Sequence, residues 1–299
     1  MRKSWRRMRV ASLAKINLDL LVLGRRHDHF HGVRTILQAV QLHDIVSVTQ
    51  RTGPFTVRSR SPEMPQDRKN LVWTAGEALW RTLGRPGLPH GVAVTITKRI
   101  PSAAGLGGAS SDAASALRVL ARLWCPGLSD RLIHTVAASV GSDVPFFING
   151  GTVIATGRGE IIRRLPALRL HWVVVAIPWF GISTSAAYRW WDLSQQRRAS
   201  TRSVPVAWRR HLDRLGNDLE PPVVSRYPEI GEMISRFKFL GATTARMSGS
   251  GSAVFGLFYT RDAAVSARRR VRRRGWRTLL TRTVTAAEFE SLAEPARIE

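Results

Sequence analysis

The chain has 299 residues, enough for one large domain or two ordinary ones, and 44% of them are apolar, which supplies real cores. Its single cysteine, Cys125, excludes an internal disulfide and any multi-cysteine zinc site, and no stretch reaches the roughly 18 apolar residues of a membrane span. A formal charge of +25 invites a nucleic-acid or membrane-surface reading, but only five of the 46 basic residues are lysines and the arginines run along the whole chain. Two denser basic runs, residues 1–10 and 266–282, come without zinc-finger spacing or the aromatic-basic signature of an RNA-recognition motif, so a solvated arginine-rich face is the plainer expectation. The segment "MRKSWRRMRV" lacks the apolar region of a secretory signal, and a cytoplasmic location is expected.

In chain order, "AKINLDLLVLG" alternates, with Ile16, Leu18, Leu20 and Val22 on one face and Lys15, Asn17 and Asp19 on the other, which predicts a strand with a polar second face. "RTILQAVQLHDIVSVTQ" reads as a short helix or a strand running into a further strand. "GVAVTITKRI" alternates again and ends at Pro101. Beyond it, Ala113, Ala116, Leu117, Leu120 and Trp124 recur at helical spacing, and "RLIHTVAASVG" predicts a second helix. Pro145 and the pair Gly150-Gly151 mark turns before another strand. The pattern restarts with the apolar strand in "LHWVVVAIPWFGIST", and a glycine-serine loop in "ARMSGSGSAVFGLF" leads into a strand from Ala253 to Tyr259. The expectation is a two-domain α+β protein, residues 1–165 and 166–299, without repeats or low-complexity linkers.

The segment "PSAAGLGGASSDAASAL" places a glycine loop between a strand and a helix. Gly108 is followed by Ala109 and not by the Lys-Ser/Thr of a Walker loop, and Ser110 stands where a dinucleotide fingerprint needs its third glycine. What the residues support is an anion site: glycines that allow close backbone approach, Ser110 and Ser111 able to cap the helix or meet an anion, and a helix N-terminus whose N–H groups point at it. A plain glycine turn with a Ser/Asp cap explains the local pattern equally well. Asp143, in the apolar turn "GSDVPFF", is expected to be buried and therefore paired, with Lys15 an available partner. Such a pair could accept or polarise a hydroxyl proton, and a turn cap with a strand-end lysine is the structural alternative. The spacing His27, His29, His31 resembles a metal site but has no converging ligands.

Six stretches, in order, are similar to the GHMP small-molecule kinase superfamily: "AKINLDLLVLGRRHDHFHGVRTILQAVQLHD", "KRIPSAAGLGGASSDAASAL", "GSDVPFFINGGTVIATGRGE", "PWFGISTSAAYRWWD", "NDLEPPVVSRYPEI" and "ARMSGSGSAVFGLF". The resemblance implies a two-domain fold, ribosomal protein S5 domain 2-like at the N-terminus and ferredoxin-like at the C-terminus. It implies a phosphotransferase, with ATP as co-substrate, Mg2+ beside it, and a small-molecule alcohol as acceptor. Within the superfamily the match is to the branch that phosphorylates the 2-hydroxyl of 4-(cytidine 5′-diphospho)-2-C-methyl-D-erythritol in the non-mevalonate route to isoprenoid precursors. Kinases of homoserine, mevalonate or a sugar are the alternatives within the fold. A basic nucleic-acid binder that kept only the fold is the alternative outside it.

By position, the resemblance makes Pro101, Ser102, Ala103, Ala104, Gly105, Leu106, Gly107, Gly108, Ala109, Ser110 and Ser111 the ATP loop, with Asn70 near the adenine. It makes Lys15 and Asp143 the catalytic pair, with Asn17 placing the hydroxyl, and Phe30, His31 and Tyr188 the holders of cytosine. The loop Ser248 to Ser252 matches a third motif near the site. His29 and Phe30 stand where relatives usually have Gly and Tyr, and Gly32 where a larger residue is common, so one polar contact to the base is lost while stacking is kept.

Overall fold

The computed structural model describes residues 7–62, 64–194 and 207–298, so most of the basic N-terminal run lies outside the described residues. The first alternating segment is β1 (Arg7–Arg25), paired antiparallel with β2 (His31–Pro54). β2 takes in the whole of residues 34–50. Its helical alternative is excluded because the long partner strand satisfies its backbone, with register shifts at Leu13/Ala14 and Asn17/Asp19 absorbing the irregular alternation. There follow β3 (Thr56–Ser59), α1 (Leu71–Thr82), β4 (His90–Thr97), α2 (Gly108–Trp124), α3 (Asp130–Val140), the one-turn α4 (Phe146–Asn149), β5 (Thr152–Thr156) and β6 (Ile161–Arg164).

After a loop the chain enters a second sheet through β7 (Trp172–Pro178), α5 (Thr184–Leu193), α6 (Glu220–Val224), α7 (Pro228–Phe239), β8 (Thr244–Met247), β9 (Val254–Phe258), α8 (Arg261–Arg270) and β10 (Trp276–Arg282). Its order, β10-β7-β9-β8, is antiparallel throughout. Counted along the chain these strands lie 4-1-3-2, the arrangement expected of a ferredoxin-like unit. The tail, α9 (Ala286–Leu292) and β11 (Ala296–Arg297), returns to the first sheet, where β11 pairs with β1 and Phe289 is buried against Gly150. The first sheet runs β11-β1-β2-β4-β3, with β5 on β2 and β6 on β5. We place the division between the two folding units near residue 165, between β6 and β7, with the tail exchanged back to the first unit.

Two packings position the cavity. α2 buries Ala113, Ala116, Leu117 and Leu120 in the core of the first unit, which fixes its N-terminus. Ile16 and Leu18 of β1 pack with Val173, Val175 and Phe255 of the second sheet, joining the units. The other face of β1 is buried too: Lys15, Asn17 and Asp19 are only 3%, 3% and 1% exposed. Alternation marks this stripe as polar, and the fold covers Lys15 and Asn17 with the glycine loops and Asp19 with the segment at Gly216 instead of leaving them to solvent.

Candidate active site

The loop before α2 is held between β1 and the loop that joins β8 to β9. The Lys15 amide donates to the Leu106 carbonyl (3.0 Å), the Ala253 amide donates to the Ala104 carbonyl (3.2 Å), and the Ser248 hydroxyl donates to the Gly105 carbonyl (2.9 Å). So close an approach requires glycine. At Gly105 the backbone is left-handed (φ +73°), and a Cβ there would lie 2.1 Å from the Ser248 carbonyl oxygen. Gly107, also at +73°, begins α2 without a side-chain cap, and no acidic residue stands in the first turn. The first amides of α2 therefore have no side-chain cap and could receive an anion. The serines do not cap as expected: the Ser12 hydroxyl donates to that of Ser111 at 2.8 Å, in the core, and Ser110 lines the cavity.

Lys15 and Asp143 meet at the cavity, 3.5 Å apart, the ammonium buried and the carboxylate 34% exposed. Asp143 is thus not buried among its apolar neighbours. Val144, Phe146 and Phe147 turn into the core and hold the carboxylate out toward the cavity. Lys15 also donates to Asn17 Oδ1 (2.6 Å), and Asn17 Nδ2 donates to the Thr35 hydroxyl (2.9 Å), so the ammonium is fixed from below by a buried chain. A cation and a carboxylate held this way can orient a hydroxyl, take up its proton and counter negative charge arriving beside it.

A cluster the sequence does not announce lies under the loop. Lys98, from the segment after β4, donates to Asp44 of β2 and to Asp112 of α2, the latter at 2.8 Å. Asp44 Oδ1 accepts in turn from the amides of Arg99 and Ile100, which pins the approach to the loop. Asp112 is pushed up to about 7 by burial and by the neighbouring negative charge of Asp44, with the Lys98 ammonium pulling the other way. A carboxyl whose pKa is higher in the folded chain favours the fold while protonated, and that contribution is lost as the pH rises through the folded value. Urea unfolding should therefore show wild-type stability falling between about pH 4 and about 7 by an increment that Asp112→Asn lacks; parallel pH profiles would contradict the assignment.

At the other end of the same cavity of about 1120 Å³ stand His31, Tyr188 and Phe30. His31 opens β2 and stacks on Tyr188 of α5, ring centroids 4.7 Å apart and planes 26° apart. One face of Tyr188 is therefore already covered by the imidazole. Phe30 is exposed, with the Arg158 guanidinium 5.1 Å from its ring centre. Burial and the nearby Asp143 carboxylate hold the Tyr188 phenol above its usual range, so it stays a protonated donor close to Asp143. His27 and His29 lie exposed in the turn, and no group of three or more His, Cys, Asp or Glu able to hold a metal occurs among the described residues. Asn70 lines the cavity, but its side chain caps α1, accepting from the Val72 amide and donating to the Pro65 carbonyl.

The loop, the Lys15–Asp143 pair and the aromatic end share one cavity. The GHMP kinases N terminal domain family matches residues 70–151 and the GHMP kinases C terminal family matches residues 202–277. The chain is 37% identical to the 4-diphosphocytidyl-2-C-methyl-D-erythritol kinase of Heliobacterium modesticaldum, covering 95% of this chain and 98% of that relative. It is 40% identical to the kinase of the same name from Gloeobacter violaceus, covering 86% and 87%. A crystal structure of 4-(cytidine 5′-diphospho)-2C-methyl-D-erythritol kinase superposes with a TM-score of 0.77 at 33% identity, over 92% of this chain and 99% of that one. The chain belongs to the 4-diphosphocytidyl-2-C-methyl-D-erythritol kinase family.

Proposed function

We propose that the protein transfers the γ-phosphoryl group of ATP to the 2-hydroxyl of 4-(cytidine 5′-diphospho)-2-C-methyl-D-erythritol, giving ADP and the 2-phosphate, in the non-mevalonate route to isoprenoid precursors. One observation carries this reading. The buried Lys15 ammonium and the half-buried Asp143 carboxylate lie in a single cavity with an amide-rich helix N-terminus and the aromatic pair His31–Tyr188. An anion, a hydroxyl and a nucleobase could thereby be held side by side.

The residues from Pro101 to Ser111 would hold the triphosphate through backbone amides, with Asn70 and Leu71 beside the adenine. The acceptor hydroxyl would lie against Asp143, which takes its proton as the oxygen–phosphorus bond forms and the bond to ADP breaks. Lys15, 3.5 Å from the carboxylate, stabilises charge on the transferring group, while Asn17 sets the position of the ammonium. A divalent cation arriving with ATP would supply positive charge against the phosphates. The chain offers it one carboxylate oxygen beside the loop, Asp112 Oδ1, which is buried without a partner, and the Ser110 hydroxyl. These fit a cation carried in on the nucleotide, and Mg2+ is the one proposed.

Phe30, His31 and Tyr188 would hold the cytosine, so Tyr188→Ala should raise KM for the cytidyl substrate about tenfold, on the order of 1.4 kcal/mol, and leave kcat within about threefold. Steady-state kinetics at saturating ATP decide it, and a fall in kcat at constant KM would contradict the placement. The reading as a whole is tested by coupled ADP release across a panel. Turnover is expected with the cytidyl substrate alone, and comparable turnover with 2-C-methyl-D-erythritol 4-phosphate, homoserine, mevalonate or a sugar would overturn it.

A further inference from the structure

His31 is gripped by one face of α5. Tyr188, Trp191 and Asp192 stand at i, i+3 and i+4, the spacing that sets side chains in a row on a helix. Tyr188 covers the face of the imidazole, Trp191 meets it edge-on at 5.8 Å between centroids, and Asp192 Oδ1 lies 2.8 Å from Nε2. The His31 side chain is 11% exposed and lines the cavity. Its Nδ1 has no protein partner among the described residues.

We infer that Asp192 is a specificity-determining positioning residue: by accepting the Nε2–H of His31 it directs an unprotonated Nδ1 into the cavity and so selects a base that presents an amino group. This rests on the cytidyl reading of the cavity given above. A carboxylate has no proton to give, so in the neutral imidazole it fixes the proton on Nε2 and the lone pair on Nδ1. A lone pair accepts from the exocyclic amino group of cytosine. It meets only a carbonyl oxygen at the same position of uracil, where two acceptors face each other. A site built to bond an N–H group rejects an analogue that lacks it far more strongly than a shape difference would. The stacked Tyr188 and the edge-on Trp191 keep the ring from turning, so the choice of tautomer becomes a choice of base.

The test uses the full chain at pH 8, with CDP and UDP as competitors of the cytidyl substrate. The wild type should bind CDP more tightly than UDP. Asp192→Leu, which keeps the bulk and removes the acceptor, should cut that preference about tenfold and raise KM for the cytidyl substrate by a similar factor, with kcat within about twofold. Asp192→Asn, whose amide oxygen can accept the same N–H, should return the preference to within about threefold of wild type. In the wild type, 15N-histidine NMR, with His31 assigned from a His31→Gln variant, should show the proton on Nε2. That readout stands even if the leucine variant fails to fold. A wild-type ring protonated on Nδ1, an unchanged CDP preference in Asp192→Leu, or a loss confined to kcat overturns the inference and leaves the kinase reading intact. A wild type that does not distinguish CDP from UDP overturns the cytidyl reading and the inference with it.

Discussion

Asp143→Ala should lower kcat by about 10²- to 10⁴-fold, the range ascribed to a positioned acid or base, with KM for ATP changed only a few-fold. The magnitude follows from how the residue is held. Val144, Phe146 and Phe147, each no more than 1% exposed, anchor the turn in the core, whereas the Asp143 side chain projects into the cavity. Truncation therefore leaves the fold and the ATP loop in place. Lys15 keeps Asn17 Oδ1 as an acceptor at 2.6 Å, so the ammonium does not wander when its carboxylate partner is gone. On the proposed mechanism, what would be lost is the group that orients the acceptor hydroxyl and takes its proton. Single-turnover kinetics locate the defect in the chemical step, and an alanine variant that turns over within tenfold of wild type would remove Asp143 from the mechanism.

Gly105→Ala should abolish detectable nucleotide binding and lower stability by about 3 kcal/mol, from left-handed strain and overpacking together. The added methyl would sit 2.1 Å from the Ser248 carbonyl oxygen and 3.1 Å from that of Gly251, both backbone atoms with no rotamer to escape into. Relief requires the two loops to part, which breaks the Ser248–Gly105 hydrogen bond and moves the amides that would face the phosphates. Gly127→Ala is the matched control, since that glycine is also left-handed (φ +93°) but a methyl added there would have nothing within 4 Å. It should cost only the backbone strain, about 1–2 kcal/mol, and leave ATP binding unchanged. Thermal melts and nucleotide titration of the pair separate the two contributions. Equal nucleotide affinity in both variants would mean that the loop contact does not shape the ATP site.

Much of this site can be read along the chain because its parts are local. The alternation of β1 puts Lys15 and Asn17 side by side, and the glycine loop follows a strand and precedes an amphipathic helix within residues 90–124. The remainder is made by distant segments. Lys98, Asp44 and Asp112 each resemble an ordinary surface charge, and only the packing of β2, β4 and α2 brings them together out of water. The apolar neighbours of Asp143 predict burial, but side-chain direction in a turn is not set by composition. β2 is ambiguous from its residues because its apolar run has no clean period, and the partner strand decides the matter. Nothing local to α9 or β11 says that Phe289 will fill the space over Gly150, so a boundary drawn along the chain leaves the tail with the second unit.

Transfer of one phosphoryl group to one hydroxyl of a cytidyl substrate is followed most directly by 31P NMR of the reaction with ATP. A new monophosphate ester resonance, coupled to the carbon that bears the substrate's 2-hydroxyl, should appear in step with ADP while the two diphosphate resonances of the substrate persist. Inorganic phosphate in place of that ester, or an ester on any other hydroxyl, would contradict it.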